Sequence, residues 1–207
     1  MKVAIIHFVL LYMSGGEKVL EALCKIYPDA DIFTHAYDPK KISQLIKNHN
    51  IKTTFIQKLP FSKTLYKYYL PFMPIALEQL DLSNYDLVIS CESGPTKGIV
   101  PDPDALHVCY CHSPMRYVWD RSHDYLKNKS FIISLIMKKI IHYLKIWDHS
   151  SSSRVDIFIS NSKFVSNRIM KYYRRSSIVL PPPVGTRLFS KANKTGDYYL
   201  WLGRFVP

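Results

Sequence analysis

Hydrophobic and polar positions follow two different periods along this chain. Residues 3–8 form a near-continuous apolar run, the pattern of a strand covered on both faces. Residues 15–26 switch to helical spacing, which puts Val19, Leu20, Leu23 and Ile26 on one expected face. The alternation then repeats. Strands are expected over 31–35, 52–56, 85–90, 107–111, 155–160 and 177–180, and helices over 39–47, 129–150 and 162–172. The last of these helices opens on Ser and carries Val165, Ile169 and Met170. Such alternation predicts an α/β protein with a mostly parallel sheet and helices on both faces.

Two stretches depart from the pattern. Residues 59–82 are aromatic and basic, and Pro181, Pro182 and Pro183 end the alternation with a stiff, extended run that suits a linker. The expected division is one domain over 1–183 and a linker over 184–197. Residues 198–207 then read as the first strand of a further domain, closing on Gly203 and Arg204. The apolar start is too short for a secretory leader, is broken by His7, and has no small-residue cleavage site, so it reads as a strand. No membrane span is expected either. The nearest stretch, 131–146, is interrupted by Lys138, Lys139, His142 and Lys145.

Composition adds a sign. With 28 basic and 16 acidic residues the net charge is +12, which favours anionic partners: phosphorylated substrates, an acidic membrane surface or nucleic acid. No nucleic-acid recognition motif is present, so nucleic acid is not an expected partner. Cys24, Cys91, Cys109 and Cys111 fall mostly in apolar runs and lack zinc-ligand spacing; free core thiols and no metal site are expected.

Four loops follow four expected strands and carry the candidate chemistry. Ser14-Gly15-Gly16-Glu17 opens the first helix. A helix N-terminus there offers free N–H groups to an anion, and glycines let the backbone approach it; a plain tight turn is the other reading. The G-x-G-x-x-G fingerprint is absent, which argues against a nicotinamide enzyme. Ser93 lies in a small, hydroxylic loop suited to sugar or phosphate contact, or to capping a helix. His112 ends a strand, where it could hydrogen-bond a ligand or serve structure. Asn161 and Ser162 follow another strand, and one of them is expected to cap the next helix.

K-V-A-I-I-H, S-G-G-E-K-V-L-E-A-L, P-D-A-D-I-F-T, Y-D-L-V-I-S, H-V-C-Y-C-H-S-P-M-R-Y-V-W-D, R-V-D-I-F-I-S-N-S-K-F-V and Y-L-W-L-G-R occur in that order. The series resembles the N-terminal, Rossmann-like half of retaining GT-B glycosyltransferases of the family 4 type. The closest subgroup is the bacterial mannosyltransferases of O-antigen and polysaccharide assembly. The resemblance implies an acceptor-binding domain facing a second, donor-binding domain across a cleft. It implies a nucleotide-sugar donor, GDP-mannose, a lipid-linked glycan acceptor and no metal or other cofactor. Gly15, Gly16 and Arg204 would contact the donor diphosphate, and His112 the transferred sugar. Ser93, Arg116, Tyr117 and Asn161 are the candidate acceptor contacts. The donor-domain residues that complete such a site are not among these residues, so the chain alone is expected to be inactive, with a tail from Lys191 that is poorly anchored or packs differently than in the complete enzyme.

Related enzymes also meet anionic lipid near the segment 61–72. Here Lys63, Tyr66, Lys67, Tyr68 and Tyr69 are the expected membrane contacts, on the inner face of the plasma membrane; the alternative is a helix packed on its own domain. A non-catalytic anion- or lipid-binding domain is the second functional expectation.

Overall fold

A computed structural model describes residues 1–92, 94–127, 129–186, 190, 196–199 and 201, without the side chain of Glu92. Seven strands form one sheet, and every pairing is parallel. They are β1 (Val3–His7), β2 (Asp31–Thr34), β3 (Ile51–Thr53), β4 (Leu87–Glu92), β5 (Leu106–Cys111), β6 (Ile157–Ser160) and β7 (Ile178–Val179). Their spatial order is β3-β2-β1-β4-β5-β6-β7. The chain therefore reverses its direction of growth between β1 and β4, the switch point where open α/β sheets bind ligands.

Helices α1 (Gly15–Ile26), α2 (Gln44–Lys47), α3 (Ser62–Leu65), α4 (Met73–Glu78), α5 (Ser122–Leu126), α6 (Phe131–Ser151) and α7 (Lys163–Tyr173) fill the connections. β1 shows how two layers arise from one strand. Its five residues are all buried. Val3 and Ile5 join a cluster with Leu20 and Cys24 of α1 and Ile46 of α2. Ala4 and Ile6 point the other way, into a cluster with Leu77 of α4 and Leu144 and Trp147 of α6. The two-residue strand period thus covers the sheet on both faces. Against the edge, Val165 and Ile169 of α7 pack on Cys109, Cys111 and Phe158.

Several boundaries differ from the expected ones. The helix expected over 39–47 is confined to Gln44–Lys47, after Ser43 in extended geometry. The strand expected over 52–56 ends at Thr53, because Phe55–Lys58 turns into a 3₁₀ segment. On α1, Cys24 replaces Ile26 on the buried face, one turn beyond Leu20; Ile26 is 64% exposed. On α7, Met170 points outward and Tyr173 is the buried residue. All four cysteines are buried, and none is in a disulfide. The expected strand in 198–207 lies largely outside the described residues, as does Arg204; Tyr198, Tyr199 and Trp201 are exposed. Among the described residues, no helix is long and apolar enough to cross a membrane.

Candidate functional site

At the switch point the carboxyl ends of the strands open onto a cleft of about 480 Å³. His7 ends β1, and Ser14 leads into α1 immediately above it. Gly15 and Gly16 form the first turn of α1, with their backbone N–H groups pointing out of the helix start. From the other side His112, one residue past β5, and Asn161, one residue past β6, complete the wall; Pro182 and Pro183 close one margin. The proline run expected to be a linker is thus partly a wall of this cleft.

The glycines serve close approach rather than an unusual backbone. Neither has positive φ. A Cβ on Gly15 would meet nothing within 4 Å, so the helix start faces open space. A Cβ on Gly16 would lie 3.7 Å from His112 Nε2 and 3.7 Å from His7 Cε1. Gly16 therefore leaves a gap between two imidazoles, directly beside free amide donors.

Glu17 organises this floor. Its carboxylate accepts hydrogen bonds from the Ser14 backbone N–H at 2.8 Å and the Ser14 hydroxyl at 2.6 Å, and lies 3.2 Å from His7 Nε2. Burial alone would raise its pKa. The hydrogen bonds from His7 and Ser14 and the neighbouring His7 charge outweigh burial, and the carboxyl is held at about 2. His7 faces that carboxylate through Nε2, and its other ring nitrogen, Nδ1, is a buried atom with no hydrogen-bond partner. Such an orphan beside a cleft suits a ligand hydroxyl.

His112 is half-buried. Burial, and then the adjacent His7, lower its pKa to about 4, with Glu17 opposing, so the ring is neutral at physiological pH. Its Nε2 lies 3.4 Å from the Cys91 sulfur, its ring meets Tyr110 edge-on, and its carbonyl accepts from Asn161 Nδ2 at 3.1 Å. Asn161 therefore holds the His112 backbone. Ser162 caps α7, its hydroxyl accepting from Val165 N–H at 3.3 Å. The cleft thus combines an anion-seeking helix start with two hydrogen-bonding imidazole rings. Among the described residues, no group of three or more His, Cys, Asp or Glu could hold a metal ion.

The structure gathers Gly15, Gly16, His112 and Asn161 but not every expected residue. Arg116 is exposed on the loop after β5. Tyr117 packs on the central core and, edge-on, against Tyr125; neither lines the cleft. Met115 and Val118 turn this loop down into the core, which sets Arg116 and Tyr117 outside the cleft. Ser93 and Arg204 lie outside the described residues. The loop after β4 also turns inward, where Lys97 is fully buried against Asp148. In the segment 61–72, Lys63, Lys67 and Tyr68 are exposed. Tyr69 is half-buried, with its hydroxyl on the Pro60 carbonyl at 2.6 Å. Tyr66 is a correction: it is buried edge-on against Phe8 and cannot meet a membrane.

His7 and Glu17 were missed as site residues. Their signals were a histidine at the last position of a buried strand and a Ser-x-x-Glu capping pattern. No protein-family model and no curated protein matches the chain.

Proposed function

We propose that this chain is the acceptor-side domain of a retaining, sugar-nucleotide-dependent glycosyltransferase acting on a lipid-linked glycan, with GDP-mannose as donor. The observation that carries the reading is the Gly15-Gly16 helix start opening between His7 and His112 at the switch point of a parallel sheet. A diphosphate fits the α1 start, where unpaired N–H groups and the helix dipole favour negative charge. Sugar hydroxyls fit the two rings, His112 as a neutral donor or acceptor and His7 through Nδ1. No nucleophile is needed in this cleft. Transfer with retention asks for departure of the diphosphate and attack on the same face, and the protein's share is to stabilise the charge that develops on the leaving group. A second domain, with Arg204 at its start, would grip the nucleotide. The basic, aromatic segment 61–72, now without Tyr66, would face the anionic membrane that holds the acceptor.

The test is mannose transfer from radiolabelled GDP-mannose to a lipid-linked glycan by the enzyme assembled with its donor-binding domain. His112→Ala should lower turnover by about 100-fold, the range for one lost transition-state hydrogen-bonding group. Unchanged turnover would contradict the assignment of His112. Lipid binding with no nucleotide-sugar binding would favour the non-catalytic reading instead.

A further inference from the structure

The first three turns of α6 depart from ordinary packing. A helix with apolar residues on every side is normally enclosed by protein. Here Phe131 is 82% exposed, Ile132 70%, and Ile136 55%, with Ile133 and Leu135 exposed beside them. No residue from 131 to 143 is fully buried; Ile140 is the partly buried residue of that stretch that packs on the core, and the buried residues of the helix are Leu144, Trp147, Asp148 and Ser151. A contiguous exposed apolar surface of this kind marks an interaction site.

Its charge says what covers it. Lys127 and Lys129 precede the apolar turns, Lys138 and Lys139 follow them, and all four are exposed. Between Asp124 and Asp148 the sequence contains these lysines and Lys145 but no acidic residue. Asp124 is 3.2 Å from Lys127, and Asp148 is buried against Lys97, so among the described residues Lys127 is the one of these lysines that is offset. An apolar knob flanked by cations complements acyl chains beneath anionic headgroups. Tyr125 and Tyr143 are exposed at its margins, where amphipathic rings suit the membrane interface. The helix does not qualify as a membrane span, which leaves insertion at headgroup depth.

We infer that the first three turns of α6 dock this protein on an anionic membrane surface, apolar side chains at the acyl boundary and lysines on headgroup phosphates. The surface lies outside the cleft and outside the segment 61–72, and it needs no sugar chemistry.

Vesicle flotation of the 207-residue chain tests this, with phosphatidylcholine alone against equal parts phosphatidylcholine and phosphatidylglycerol. Binding is expected on the anionic vesicles only. Ile132→Glu with Ile136→Glu should weaken it at least about 10-fold, through lost apolar burial. Lys138→Gln with Lys139→Gln should weaken it about 30-fold, from about 5-fold per lysine. All four positions are exposed, so melting temperatures should match the parent chain. Equal binding to neutral vesicles would overturn the inference. So would undiminished binding by both double variants, or a dimer that the Ile132→Glu, Ile136→Glu variant dissolves. Loss of binding only on Phe61→Ser with Tyr68→Ser would assign the contact to the other segment and overturn it equally.

Discussion

Two regions of this molecule use the same parts to opposite ends. At the carboxyl rim a carboxylate, Glu17, meets a histidine beside a glycine, and the glycine keeps space open. In the layer below, a carboxylate, Asp148, meets Lys97 near another glycine, and there the space is filled. Asp148 also accepts from Trp119 Nε1 at 2.7 Å and from the Tyr173 hydroxyl at 2.9 Å, and the Lys97 ammonium sits 4.7 Å from the centre of the Tyr173 ring. A Cβ on Gly98 would collide with the Trp147 indole, whereas a Cβ on Gly16 would only touch two rings. Buried charge alone therefore does not mark a functional site. What separates the two is whether the surrounding atoms leave room for something else.

The sharpest break of that contrast is Asp148→Ala. It removes a carboxylate from the buried Lys97 ammonium and the acceptor of Trp119 Nε1 and of the Tyr173 hydroxyl, and should cost about 3–5 kcal/mol in urea unfolding. Replacing both partners by Leu and Met should recover most of the loss, since a buried pair is often no better than its apolar substitute. A mild effect of Asp148→Ala would mean that water reaches this network.

Acid comes next. Burial lowers the pKa of His35 to about 3, and burial, partly offset by the Arg154 carbonyl, lowers that of His107 to about 4. Unfolding restores an ordinary value near 6.5. The unfolded chain then binds the protons first, so this contribution is complete above pH 6.5 and is lost as the pH falls toward 4. His112, also lowered to about 4, titrates in the same window, so three protons correspond to about 4 kcal/mol per pH unit across it, read from urea midpoints against pH. A flat profile would show that these rings are not sealed.

Gly98→Ala should destabilise by about 1–3 kcal/mol through overpacking against Trp147. Gly16→Ala should change stability by no more than about 0.5 kcal/mol, since its methyl only touches its neighbours. Its effect belongs to ligand binding, where the methyl fills the gap between the imidazoles. If both substitutions destabilised alike, the distinction between open and filled glycine sites would fail.

Much of this was legible in the chain. Continuous apolar runs marked the strands of a parallel sheet, and Gly15-Gly16 after the first of them marked the rim. His112 was legible as a strand-end residue. Less was legible where partners lie far apart. Lys97 and Asp148 are separated by 51 positions, and nothing local to either announces the other. His7 read as an interruption because a histidine in an apolar run carries no sign of which neighbour satisfies it. Tyr66 shares its composition with exposed Tyr68, and only the irregular turns between α3 and α4 send one inward and the other out. Arg116 and Tyr117 belong to a loop whose course is set by where Met115 and Val118 bury, not by its own pattern.

The proposal turns on the helix start at Gly15 and Gly16, and one titration reaches it directly. Amide and imidazole resonances of the 207-residue chain can be followed by nuclear magnetic resonance as GDP-mannose is added, with Gly16→Ala as control. The expected result is a set of shifts concentrated at Gly15, Gly16, Glu17 and His112, and lost in Gly16→Ala while that variant keeps its fold. Shifts confined to other surfaces, or shifts that Gly16→Ala leaves intact, would contradict it.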